Sequence, residues 1–197
     1  MELTTAMLIG MHACPHGLDW FVRQNETDVG KLIELVIDNL NDNTFPYANW
    51  GITRLLDKTN KTRYAVFAAE LVLPLFEEKY PKDDRPRKAI KAAKAVIEDD
   101  SEETRKRTAA RAARAARAAR AADDAANAAA DTAADTAARA ARDAAYAASD
   151  AASGAACAAS TAAYAVCAVE GKKKEVQKQI LEYGKSLLIR APQWPPR

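Results

Sequence analysis

Between Ala109 and Val169 alanine fills most positions, and single polar residues recur among them at helical spacing. From Asp124 onward these include Asp131, Asp135, Arg139, Arg142 and Tyr146, in steps of three and four that average close to the 3.6-residue period of an α-helix. They form one stripe, and methyl groups cover most of the remaining surface. Alanine has the highest helix propensity, so the stretch is predicted to be helical. At roughly 25 cal/mol per Å² of buried area, each methyl contributes far less than a leucine side chain. What alanine permits is close approach of helix axes. Such a helix suits a position surrounded by other helices; the competing reading is an isolated alanine helix exposed to water.

Unbroken from Glu103 to Val169, the helix would reach on the order of 100 Å, too long for a compact domain of this size. A break is expected at Ala121 to Asp124, with Gly154 as a second candidate. Before the break, Arg111, Arg114, Arg117 and Arg120 follow a strict triplet; after it the repeat becomes helical in phase, and Asp123 or Asp124 is suited to cap a new helix. Charge changes sign at the same place. Arg105 to Arg120 holds seven basic residues and no acid, and Asp123 to Asp150 holds six acids against two arginines. The expected architecture is an all-α helical bundle with a long Ala-rich helical hairpin.

The chain has 197 residues and a formal net charge of +2, so no global field favours nucleic acid or an acidic membrane. Its three cysteines, Cys14, Cys157 and Cys167, are odd in number and widely separated, which fits reduced thiols in a cytoplasmic protein. Met1 to Gly10 holds Glu2 and no basic region before its short apolar run, so no secretory signal is expected. No run of about 18 strongly apolar residues follows, and no membrane span is expected.

Residues 1–100 read as an N-terminal helical region. A short helix is expected near Thr4 to Met11, then a second opened by Pro15 with Trp20 and Phe21 turned to the core. Thr27 is expected to cap a helix from Asp28 to about Asn41, Pro46 to begin another, and Thr59 or Asn60 to open the most apolar one. Pro74 should kink that helix and Tyr80-Pro81 end it. Glu70 within it has Arg54 and Arg63 as expected partners, or faces solvent. Asp83 or Asp84 starts a helix to Ile97, and Asp100 with Glu103 fits a capping box for the alanine stretch. Residues 101–170 are the Ala-rich helices packing on this region. Residues 171–190 form a C-terminal helix with Val176, Ile180, Tyr183 and Leu187 on one side, and residues 191–197, with Trp194, an extended tail.

Chemistry-bearing residues are few. His12-x-Cys14-x-His16 has the look of a metal site, but a zinc site needs four ligands and no paired Cys or His follows at a finger-like spacing, so a helix start is preferred there. Tyr47, Asn49, Trp50 and Arg54 combine aromatic faces, an amide and a guanidinium within about two turns, suited to a ligand or partner, although Trp50 also reads as core. Arg105, Arg107, Arg111 and Arg114 are further candidates for an anionic partner. No catalytic constellation and no cofactor site is expected, so an enzyme is the least favoured reading.

Five pieces, taken in order, carry a resemblance: Ala13-Cys14-Pro15-His16-Gly17-Leu18-Asp19-Trp20-Phe21; Ala48-Asn49-Trp50; the run from Tyr64 to Pro81; Asp84-Arg85-Pro86-Arg87-Lys88-Ala89-Ile90; and the alanine array. Together they resemble the immunity proteins of bacterial polymorphic toxin systems, which have phage-encoded relatives. The resemblance implies an all-helical protein that neutralises something harmful by binding it, and it brings no set of binding residues. The expected function is therefore non-catalytic capture of a protein toxin. The alternative is a phage-type anti-defence sponge that sequesters a small nucleotide-like anion on arginines, aromatics and helix N-termini. Self-association into a homo-oligomer through the alanine helices is expected. Nucleic-acid binding is disfavoured, because arginines three apart drift by about 60° per step and line no single stripe.

Overall fold

The computed structural model describes residues 1–98, 110–120, 122, 132–149, 157, 158, 161 and 172–190. The regular structure of these residues is α-helical apart from one isolated antiparallel bridge between Glu2 and Asp28. The helices are α1 (Thr5–Gly10), α2 (Pro15–Gln24), α3 (Val29–Asp38), α4 (Thr44–Leu55), α5 (Lys58–Lys79), α6 (Arg85–Ile97), α7 (residues 110–120), α8 (Thr132–Ser149) and α9 (Lys173–Arg190). The fold is an all-α bundle. Among the described residues, no helix is long and apolar enough to cross a membrane.

Local chemistry sets the helix starts. Thr4 caps α1 through a hydrogen bond from Met7 N, and Cys14 caps α2 with Pro15 as the first helical residue. Three starts differ from expectation. Asp28, not Thr27, caps α3, its Oδ1 accepting from Lys31 N at 3.0 Å. The α4 helix begins at Thr44, two residues before Pro46, because Asn41 Oδ1 accepts from the backbone N–H groups of both Asn43 and Thr44. Asp57, rather than Thr59 or Asn60, caps α5 and accepts from Asn60 N at 2.8 Å. The α5 helix is continuous across Pro74 and ends at Tyr80. Glu70 faces solvent, the second of its two expected positions, and its exposed carboxylate meets Lys94 of α6 at 2.6 Å in place of Arg54 or Arg63.

The alanine helix α8 lies against both α5 and α6. Ala137, Ala138, Ala140, Ala141, Ala144 and Ala147 are fully buried in the main core. Opposite them α5 offers Ala65, Ala68 and Ala69, also fully buried. Small side chains on both helices let backbone approach side chain directly: the Thr62 hydroxyl of α5 donates to the Ala147 carbonyl of α8 at 3.4 Å. Its expected position among other helices is the one observed. The α7 helix buries Ala112, Ala116 and Ala119, and Ala116 and Ala119 pack in one cluster with Ala89 of α6 and Ala145 of α8. The two Ala-rich helices thus share an interface. The expected breaks at Ala121 to Asp124 and at Gly154, the capping box and the tail with Trp194 lie, Ala122 apart, outside the described residues.

The last helix, α9, closes the bundle over α3, α4 and α5. Ile180 and Leu181 are fully buried, and the Tyr183 ring stacks on Phe67 with centroids 4.1 Å apart. Lys185 pairs with Glu34, and Lys173 with Asp42. At the crossing point sits Gly184: a Cβ there would come within 2.7 Å of Tyr64 Cε2 and 2.9 Å of Ile52 Cγ2. Tyr64 itself is fully buried, and its hydroxyl donates to Asn49 Oδ1 at 3.1 Å.

Burial pushes the Tyr64 phenol well above its ordinary value of 10.0. Above that pH the unfolded chain releases the phenolic proton and the folded chain retains it. Stability from this group is therefore complete below pH 10 and falls by up to about 1.4 kcal/mol per pH unit above it. We expect the thermal midpoint of the parent chain to fall more steeply from pH 10 to pH 11 than that of Tyr64→Phe. Equal slopes in the two proteins would place Tyr64 in contact with water.

Candidate functional site

The N-terminal helices α1 to α4 surround a half-enclosed cavity of about 330 Å³. Its floor is built from buried apolar side chains, among them Leu8, Phe21, Leu32, Val36 and Ile52. The amphipathic faces of α3 and α4 explain why Leu32, Val36 and Ile52 point inward: the apolar positions of those helices recur at three and four. Leu3 also lines the space, held there by a backbone hydrogen bond from its N–H to the Thr27 carbonyl at 2.8 Å. At the mouth stand exposed His12 and Cys14, with half-buried Trp20, Tyr47 and Trp50. The Trp20 and Tyr47 rings lie 6.1 Å apart, tilted by 39°.

Two groups of residues singled out in the sequence meet at this one place. Tyr47 and Trp50 come from α4, and His12 and Cys14 from the turn between α1 and α2. His12 has a φ of 62°, the left-handed conformation that reverses the chain after α1. Its backbone N–H donates to the Ile9 carbonyl at 2.9 Å, closing the end of the helix. Cys14 Sγ accepts from Gly17 N at 3.4 Å, which is a capping role. His16 is exposed on α2 and is not among the residues lining the cavity. No group of three or more His, Cys, Asp or Glu among the described residues is placed to hold a metal ion.

The remaining candidates separate. Asn49 turns away from the mouth into the core to accept from Tyr64. Arg54, one turn beyond Trp50, holds its guanidinium 5.6 Å from the Trp50 ring centroid. Burial, together with the neighbouring Arg54 charge, pulls the Lys61 ammonium below its ordinary value. Arg54 and Lys61 thus bring two cations near the Trp50 face, with the Asp57 carboxylate also close to Lys61. Arg111 and Arg114 lie exposed on α7, whose Ala112, Ala116 and Ala119 are buried. Arg105 and Arg107 lie outside the described residues. The stripe on α8 is occupied by its own charges: Arg139 approaches Asp135 at 3.7 Å, and Arg142 Nε donates to Asp143 Oδ1 at 3.0 Å.

Sequence reading did not single out Gly51 as part of a site. Gly51 lines the cavity on the α4 face shared by Tyr47 and Leu55, and a Cβ there would meet nothing within 4 Å. An isolated glycine inside a helical pattern was the available signal. Compared with protein-family models, curated proteins and solved structures, the chain matches none.

Proposed function

We propose that this chain is a non-catalytic neutralising protein, which binds a harmful protein partner and blocks it, the immunity-type role that its sequence resemblance implies. The observation that carries this reading is the cavity of about 330 Å³, with its apolar floor and aromatic mouth. Affinity between proteins concentrates in a few anchors that fill desolvated pockets, with aromatic residues prominent among them. A cavity ringed by Trp20, Tyr47 and Trp50 is suited to receive one such anchor. The bundle behind it is held by α9 and by the alanine contacts of α8, so little ordering cost falls on binding.

A second reading has its own observation. Arg54 over Trp50, with Lys61 beside it, supplies charge and a stacking face for a small nucleotide-like anion. Native mass spectrometry separates the two. The parent chain, purified gently from cells that hold its natural targets, is expected to retain a protein-sized mass, and Gly51→Leu is expected to lose it while remaining folded. An added mass of a few hundred daltons that survives Gly51→Leu and is lost in Arg54→Ala would replace the first reading with the second. The same spectra read the copy number and so test self-association.

A further inference from the structure

We infer that the cavity between α1 and α4 is a site for one uncharged aromatic group of about bicyclic size, such as an indole, and that Gly51 is the residue that keeps its space open. The inference deepens the neutralising reading and rests on it for the source of the ring, an aromatic side chain of the partner protein.

Size comes first. An apolar cavity of about 150 Å³ takes up benzene, and this one is about 330 Å³. A second fused ring or a short linker therefore fits. Charge comes next. Among the described residues the lining consists of aliphatic, aromatic and small residues together with His12, with no carboxylate, ammonium or guanidinium. An anionic ligand carried to the floor would lose its water and gain no counter-charge. At the mouth the Trp20 and Tyr47 rings, 6.1 Å apart and tilted by 39°, offer faces and edges against which a further ring can pack.

Gly51 supplies the independent observation. It lies inside α4, where glycine is a poorer helix former than every residue except proline. Packing does not demand it, since a Cβ would enter open space, in contrast to Gly184, where a Cβ would strike two buried side chains. Tyr47, Gly51 and Leu55 follow one another at i and i+4, and all three line the cavity. A side chain at position 51 would stand in the volume that a ligand ring occupies. Glycine here serves the cavity at the expense of the helix.

The test uses 5-fluoroindole as probe, followed by its fluorine NMR signal in a titration with the full chain. Saturable binding with one site per chain is expected, competed by indole. Indole-3-acetate, which adds a carboxylate to the same ring, is expected to bind at least tenfold more weakly. Gly51→Leu and Ala48→Leu, both on the α4 wall, are expected to weaken binding at least tenfold, with thermal midpoints no lower than that of the parent. Absence of saturable binding, equal binding of the acid, or unchanged binding in the two folded variants would each overturn the inference. N-acetyl-tryptophanamide supplies the arm that separates this failure from that of the neutralising reading. Binding of the amide supports a side-chain anchor, whereas indole binding without amide binding leaves the cavity chemistry standing and overturns the protein partner as its source.

Discussion

Gly184→Ala is expected to lower the free energy of unfolding by about 2 kcal/mol and the thermal midpoint by about 4–8 °C. In an unpacked helix the same change would stabilise by about 1 kcal/mol through propensity alone. Here the new methyl would meet Tyr64 Cε2 at 2.7 Å and Ile52 at 2.9 and 3.0 Å. Both neighbours are almost fully buried, so neither has room to turn away. Tyr64 is further tied by its hydroxyl to Asn49. The strain must then push α9 off α4 and α5 and disturb the stacking of Tyr183 on Phe67. Gly51→Ala is the internal control, because its Cβ would meet open space; that chain is expected to gain about 1 kcal/mol. Opposite signs for one substitution at two helical glycines, read by circular dichroism during thermal unfolding, are the expected result. A neutral or stabilising Gly184→Ala would remove the close crossing of α9 from the account of the fold.

Which segments are helical was legible in the sequence because propensity, periodicity and punctuation agreed along most of the chain. Helix starts were less so. Thr27 and Asp28, or Asp57, Thr59 and Asn60, are all able to accept from an N-terminal backbone N–H, and only the backbone path selects one. Partners across helices were the least legible. The link between Glu70 and Lys94 depends on the relative register of α5 and α6, which no local pattern encodes. Alanine carries the same difficulty further: a methyl face fits many surfaces, so the sequence placed α8 among helices without saying which.

The site was legible in parts. Tyr47 and Trp50 stood out as aromatic residues beside polar ones, and His12 and Cys14 as an apparent metal motif. That these four share one mouth follows from the packing of the α1–α2 turn against α4, more than thirty residues away in sequence. Neighbouring residues on a helix point about 100° apart, so Asn49 reaches Tyr64 in the core while Trp50 borders the cavity. Gly51 gave only a weak signal, since a missing side chain is visible as space and not as chemistry.

Ala141→Leu is expected to be the most damaging single substitution in the alanine stretch, costing about 3 kcal/mol and lowering the midpoint by about 6–12 °C. Helix propensity does not produce this effect, because leucine is nearly as good a helix former as alanine. Ala141 is fully buried, and α8 is held between α5 and α6, so a shift away from one neighbour drives the helix into the other. Three added carbon atoms thus have no direction of relief. Helical content should persist while fixed packing is lost: the far-ultraviolet signal stays close to that of the parent, and the near-ultraviolet signal of the buried aromatics weakens. Ala118→Leu, exposed on α7, is expected to change stability by less than about 0.5 kcal/mol. A large difference between these two leucines means that alanine is required for distance between axes and not for helix formation. Equal tolerance at both positions would mean that α8 lies on the surface, and the rigid support behind the cavity would have to come from α9 alone.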